Sequence, residues 1–111
     1  MTFEDVGRLA LALPGVEAGT YYGTPAFKVG GKTIVRLRED GETVVLFEVP
    51  VEEREVMCEA DPEVYFWTDH YGPWPLVLVR LAAARPEHVR GYLERAWRVR
   101  AGKKMLKAAG L

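Results

Sequence analysis

The side chains that could bind a metal ion or act as nucleophiles are few in this chain and far apart. His70 and His88 lack the i, i+4 spacing of helical metal ligands, and Cys58 has no second thiol to join it. A structural zinc site needs about four nitrogen or sulfur ligands. The chain has no serine, and Cys58 stands beside Met57 on a short predicted helix, where we expect it to pack rather than react. The sequence therefore predicts no metal site, no cofactor and no catalytic nucleophile.

Two further patterns could indicate acid–base catalysis or phosphate binding, and neither is a strong signal. Glu52, Glu53, Glu59 and Asp61 could in principle serve as general acids or bases. Acids at a helix start more often complement the helix dipole. Gly30-Gly31 stands between two predicted strands rather than between a strand and a helix, so it does not form a phosphate-binding loop. We expect that the protein is not an enzyme.

The segment 65–74 is unusually rich in aromatic side chains. Its candidate ligand-binding residues are Tyr65, Trp67, His70, Tyr71 and Trp74, and Tyr21, Tyr22 and Phe27 are expected nearby in the sheet. Such rings could stack on bases or line a small-ligand pocket. They could also belong to the core, because strand alternation puts Tyr65 and Trp67 on one face and Phe66 on the other. Both interpretations stay open at this point.

The basic residues are distributed unevenly along the chain. Residues 1–84 hold seven Lys or Arg against fourteen Asp or Glu, whereas residues 85–111 hold eight against two. A basic terminal segment on an acidic body is typical of nucleic-acid contact, although it also keeps a terminal helix soluble.

The candidate phosphate contacts fall into a sheet group and a C-terminal group. They are Lys28, Lys32, Arg36, Arg38, Arg80, Lys103, Lys104 and Lys107. Lys28, Arg36, Arg38 and Arg80 are expected on one sheet face, with Glu48 paired to one of them. A solvated face with local ion pairs is the simpler interpretation. If DNA is the partner, its binding is expected to be weak and sensitive to salt, because the acidic body repels phosphates.

Hydrophobic periodicity and turn signals define the elements that position these residues. We expect helices at 3–13, 51–60 and from Pro86 to about Gly102, and strands at 20–22, 26–29, 32–38, 43–49, 64–68 and 76–81. The stripe of Val89, Tyr92, Leu93, Ala96 and Trp97 is typical of a core-facing last helix. A Lys-rich tail is expected from about residue 101.

Strands joined by hairpins between terminal helices predict an α+β fold, in which helices cover one face of an antiparallel sheet. In the strand 76–81, Val77, Val79 and Leu81 oppose Leu76, Leu78 and Arg80. In the strand 32–38, Val35 and Leu37 oppose Ile34, Arg36 and Arg38. We expect one domain over residues 1–111, no membrane segment and no signal peptide. The single cysteine favours the cytoplasm.

The order of several short motifs resembles the MmcQ/YjbR-like proteins. The matching stretches are Leu13-Pro14-Gly15-Val16-Glu17, Gly23-Thr24-Pro25-Ala26-Phe27-Lys28-Val29, Gly31-Lys32, Val51–Arg54, Asp61-Pro62, His70-Tyr71, Leu78-Val79-Arg80-Leu81 and Ala96-Trp97-Arg98. The chain departs from the family pattern at Phe47-Glu48 and at Gly72-Pro73-Trp74-Pro75.

This resemblance implies a two-layer sandwich of the frataxin-like kind and a DNA-binding role through hairpin wings. It implies no catalytic residues. Iron is not carried over, because the first helix offers only Glu4 and Asp5 rather than an acidic ridge. The leading hypothesis is a small non-enzymatic DNA-binding protein. The alternative is a module that binds a small ligand or a protein through the aromatic loop.

Overall fold

A six-stranded antiparallel sheet with four helices forms the fold, described for residues 1–110 by a computed structural model. The helices are α1 (Phe3–Leu11), α2 (Val51–Ala60), α3 (Pro86–Arg100) and α4 (Gly102–Ala108). The strands are β1 (Val16–Tyr21), β2 (Thr24–Val29), β3 (Lys32–Leu37), β4 (Thr43–Phe47), β5 (Tyr65–Phe66) and β6 (Leu76–Arg80). Their order in the sheet is β1-β2-β3-β4-β6-β5, with every pair antiparallel. The predicted α+β class is confirmed.

The main core lies between the sheet and the helices. Val89, Leu93, Ala96 and Trp97 are the buried residues of α3, so the predicted stripe is confirmed except that Tyr92 is only partly buried. The indole Nε1 of Trp97 donates a hydrogen bond of 2.8 Å to the Pro14 carbonyl. This bond fixes the C-terminal half of α3 to the chain that enters β1.

The opposite sheet face carries a second, smaller apolar cluster. Val45, Leu76 and Leu78 are buried there, with Phe47, Phe66 and Tyr71 packed against them. The predicted division of the strand 76–81 into two faces is confirmed. The prediction for Ile34 is wrong: it joins Val35 in the helix-side core, because the pairing of β2 with β3 shifts register between Phe27 and Lys28.

Three local features affect the surfaces described below. The first strand is longer than expected, and Tyr22-Gly23 forms the β1–β2 turn with positive φ angles of 50° and 80°. Helix α2 buries Arg54 and Met57, whereas Val56 is exposed. The expected basic tail from about residue 101 is instead helical over residues 102–108, because Met105, Leu106 and Ala109 pack against the core.

Candidate functional site: an aromatic cleft and a basic end

A cleft of about 450 Å³ lies on the sheet face that the helices leave uncovered. The β1–β2 turn borders one side and the loop before β6 borders the other. Its lining residues are Tyr21, Tyr22, Arg36, Val45, Phe47, His70, Tyr71, Trp74, Pro75, Leu76 and Arg100. Part of the aromatic segment and one arginine of the sheet face, which the sequence suggests as separate surfaces, therefore meet in one site.

Arg36 lies among the cleft residues, and its side chain is 8% exposed. Its guanidinium donates hydrogen bonds to the Thr24 hydroxyl at 3.2 Å and to the Tyr71 hydroxyl at 3.0 Å. Its one carboxylate contact within residues 1–110 is at 3.4 Å, to Glu39, whose side chain is 68% exposed. Water screens such a contact. A largely uncompensated positive charge is therefore held in the cleft.

The loop that forms one wall of the cleft is held from behind by Arg54. This side chain of α2 is 1% exposed and donates to four carbonyls, at distances from 2.8 to 3.4 Å. The carbonyls belong to Tyr71, Gly72, Trp74 and Leu76. The Arg54 guanidinium also lies 4.6 Å from the centre of the Trp67 ring. Because a planar guanidinium contacts several acceptors at once, these hydrogen bonds restrain the loop 71–76.

Arg100, at the end of α3, closes the other edge of the cleft. Its guanidinium donates to Glu48 at 3.0 Å and to the Thr33 carbonyl at 2.9 Å, and it lies 5.0 Å from the Phe47 ring centre. The prediction that Glu48 would pair with a basic residue of the sheet face is therefore wrong. Glu48 follows β4 with a positive φ of 61°, so its side chain does not follow the strand alternation.

The aromatic residues predicted as a ligand site are divided by the fold. His70, Tyr71 and Trp74 line the cleft, whereas Tyr65 is buried in the helix-side core and Trp67 stacks on Arg54. Burial raises the pKa of the Tyr65 hydroxyl to about 12. The other wall includes Tyr21 and Tyr22, whose rings pack edge to face 4.6 Å apart. Phe27 packs instead against α1, where it meets Phe3.

The eight candidate phosphate contacts are also divided. Arg38 and Arg80 lie near the β3–β4 turn, where Arg80 donates to the Pro62 carbonyl and lies over the Phe66 ring. Glu39, Asp40 and Glu42 surround that turn. Arg36 is in the cleft. The remaining five, which are Lys28, Lys32, Lys103, Lys104 and Lys107, belong to β2, β3 and α4.

Lys32 and helix α4 lie at one end of the molecule, which we call the basic end. Val16, at the start of β1, pairs with Val29 beside the β2–β3 turn. Gly15, just before it, approaches the side chain of Met105 on α4. The basic end comprises Lys32, Lys103, Lys104 and Lys107, all of them exposed and none in an ion pair within residues 1–110. Lys28 lies nearby on β2 and is partly buried.

Nucleophile and metal chemistry have little support among the described residues. Burial raises the pKa of the Cys58 thiol, with weaker opposing effects from Arg54 and Arg80, so the thiolate form is disfavoured. Across residues 1–110, no cluster of three His, Cys, Asp or Glu side chains could hold a metal ion. Within the same range, no helix has the length and apolar character needed to span a membrane.

The fold and its surfaces define a small α+β protein with a helix-covered antiparallel sheet and an aromatic cleft on the opposite face. The YjbR family model matches residues 11–99, and the chain belongs to that family. The crystal structure of Deinococcus radiodurans protein DR2400, with its DUF419 domain, is similar at a TM-score of 0.79 and 21% identity, covering 99% of this chain and 88% of that one. No curated protein matches the chain significantly. The family resemblance seen in the sequence is confirmed.

Proposed function

We propose that this protein binds DNA weakly, through phosphate contacts made at the basic end. The observation that carries the proposal is the placement of Lys32 and the three α4 lysines at one end of the sheet, exposed and without acidic partners among residues 1–110. Lysine side chains in this state can neutralise phosphates and release counterions. A cytoplasmic location belongs to the same proposal.

The acidic turn between β3 and β4 does not prevent such contacts, because it lies at the other end of β3. Glu39, Asp40 and Glu42 surround the turn at the far end of β3, and the six residues of β3 separate that turn from Lys32. A strand rises about 3.3 Å per residue, so the two ends of β3 are roughly 17 Å apart. The Debye length at physiological salt is about 8 Å. Repulsion from the acidic turn is therefore largely screened at the basic end.

The test is fluorescence anisotropy of a labelled duplex DNA, titrated with the protein at several salt concentrations. Four lysine–phosphate contacts predict a slope of log affinity against log salt of about −3 to −4. The variant K103A/K104A removes two of these charges from exposed helical positions, where alanine is a good helix former. We expect it to weaken binding and to reduce the slope by about 2.

A matched control removes the same charge from the far end of α3. Arg85 and Arg90 are both exposed there, and ten residues of helix, about 15 Å, separate Arg90 from Arg100. The variant R85Q/R90Q is expected to keep the wild-type slope. Equal losses in both variants would indicate a general charge effect, and an absence of duplex binding at low salt would refute the proposal.

A further inference from the structure

The cleft displays aromatic rings to solvent on two opposing walls. Tyr22 is 86% exposed on the β1–β2 wall and Trp74 is 60% exposed on the loop wall. Water disfavours exposed rings, and exposed aromatic residues that face one another around a concave surface are typical of binding sites. The volume of about 450 Å³ falls within the range for small-molecule sites.

The loop wall is held in place by bonds within the protein, and the opposite wall carries a tyrosine where the backbone favours glycine. The Arg54 hydrogen bonds hold the backbone of the loop that carries Trp74. Tyr22 has a positive φ of 50°, which is uncommon for a bulky residue and unfavourable relative to glycine. At this turn, tyrosine is therefore no more favourable for the backbone than glycine would be. Its ring packs beside Tyr21 and lines the cleft.

The charge in the cleft selects among flat ligands. Arg36 offers a positive charge with a long, screened contact to Glu39, and its guanidinium lies 5.7 Å from the Tyr21 ring centre. Arg100 is also positive, but Glu48 is paired to it at 3.0 Å. The lining residues contribute no carboxylate of their own. A flat ring that carries a negative group matches this combination better than a cationic or an aliphatic ligand.

We infer that the cleft binds a nucleotide, with the base stacked among Tyr22, Trp74 and their neighbours and the phosphate towards Arg36. The nucleotide could be free in solution, or it could be part of a single strand that continues over Arg100 to the basic end. In the second case the inference rests on the proposed function, because the same lysines would bind the flanking phosphates.

Two binding experiments on the full chain distinguish these sources. Fluorescence anisotropy measures the affinity for a labelled single-stranded oligothymidylate and, for comparison, for the duplex. The oligothymidylate has about 12 nucleotides, a length suited to single-strand sites. Isothermal titration calorimetry measures AMP as a free nucleotide. Each is carried out with the wild type, W74A, Y22G and the control V56A, which truncates an exposed apolar side chain on α2 outside the cleft.

Loss of the Trp74 ring in W74A is expected to weaken ligand binding by roughly 5- to 150-fold. Y22G should also weaken binding while leaving the fold at least as stable, because glycine suits a positive φ. V56A should bind as the wild type does. Neither cleft variant should change the salt slope for duplex DNA, since the lysines are intact.

Each outcome decides one point. Single-strand binding that depends on Trp74 and Tyr22 supports the inference with a strand as the source, and AMP binding with the same dependence supports it with a free nucleotide. If W74A and Y22G leave all binding unchanged, or if neither probe binds, the inference is refuted. Duplex binding that falls in K103A/K104A would then still stand, so a failure of the cleft is separable from a failure of the basic end.

Discussion

Replacing Arg54 by methionine is expected to destabilise the protein more than any surface substitution. Arg54 is 1% exposed, contacts four backbone carbonyls and has no carboxylate partner within residues 1–110. Methionine fills a similar volume and offers no donor. The variant R54M therefore leaves the loop 71–76 without the groups that hold it.

The destabilisation expected for R54M is the difference between lost hydrogen bonds and the relief from burying a charge. A buried acceptor that loses its partner costs about 1–3 kcal/mol. The Leu76 carbonyl is in this position, because its bond to Arg54 is buried. The carbonyls of Tyr71 and Trp74 keep backbone donors, and Gly72 lies near solvent. The other three carbonyls each lose a hydrogen bond to a charged donor, which contributes about 1.5–3 kcal/mol. Relief from burying a guanidinium offsets several kcal/mol of this total. We expect a net loss of about 2–4 kcal/mol in the free energy of unfolding.

Urea denaturation of R54M and wild type measures this loss as a lower midpoint at an unchanged m-value. For a domain of this size, it corresponds to a fall in Tm of roughly 10–20 °C. The control R98M breaks an exposed pair with Glu94 on α3, which is worth about 0.5 kcal/mol or less. R54K retains the buried charge but not the planar fork that contacts four carbonyls, so it should also be less stable than the wild type. A loss below about 1 kcal/mol in R54M would refute the account of the loop.

Two further predictions concern titration and backbone strain. Burial raises the pKa of Tyr65 from 10.0 to about 12. The unfolded chain therefore releases this proton at lower pH than the folded protein does, and the free energy of unfolding should fall between pH 10 and 12. Urea denaturation at alkaline pH should show a smaller fall for Y65F, and an identical pH profile would contradict the role of Tyr65. Gly15 and Gly23 have φ angles of 74° and 80°, so G15A and G23A should each lose about 1–2 kcal/mol. A Cβ at position 15 would meet the flexible end of the Met105 side chain, which can move aside, so the two variants should lose similar stability. A much larger loss in G15A than in G23A would show that Met105 cannot move.

The parts of the fold that depend on periodic patterns could be predicted from sequence. The α3 stripe and the two faces of the strand 76–81 follow from spacings of 3.6 and 2 residues, which burial then fixes. The bounds expected for the helix 51–60 agree with those of α2, because Pro50 and Asp61-Pro62 delimit this segment. Such local signals need no knowledge of distant contacts.

The candidate site could be predicted only in its components. The sequence does not single out Arg54, because an arginine among glutamates on a short helix is typical of a solvated face. Its acceptors are carbonyls about twenty residues away, and no residue type identifies them. The Ile34 and Glu48 errors have a similar origin, since a register shift and a positive φ interrupt strand alternation. One signal is available in the sequence: Gly23 stands between two strand segments, and glycine suits the positive φ of a turn.

Arg100 connects the cleft to the basic end. It lines the cleft beside Phe47, donates to the Thr33 carbonyl one residue from Lys32, and stands two residues before α4. Glu48 partly neutralises the charge of Arg100. The surface from the cleft to the basic end is therefore positively charged at Arg36 and at the lysines, and less so at Arg100 between them. A ligand with one flat ring and several spaced phosphates matches that distribution, whereas a rigid duplex can reach the lysines but cannot place a base in the cleft. The geometry therefore favours an unpaired strand over a duplex as the ligand that would use both surfaces.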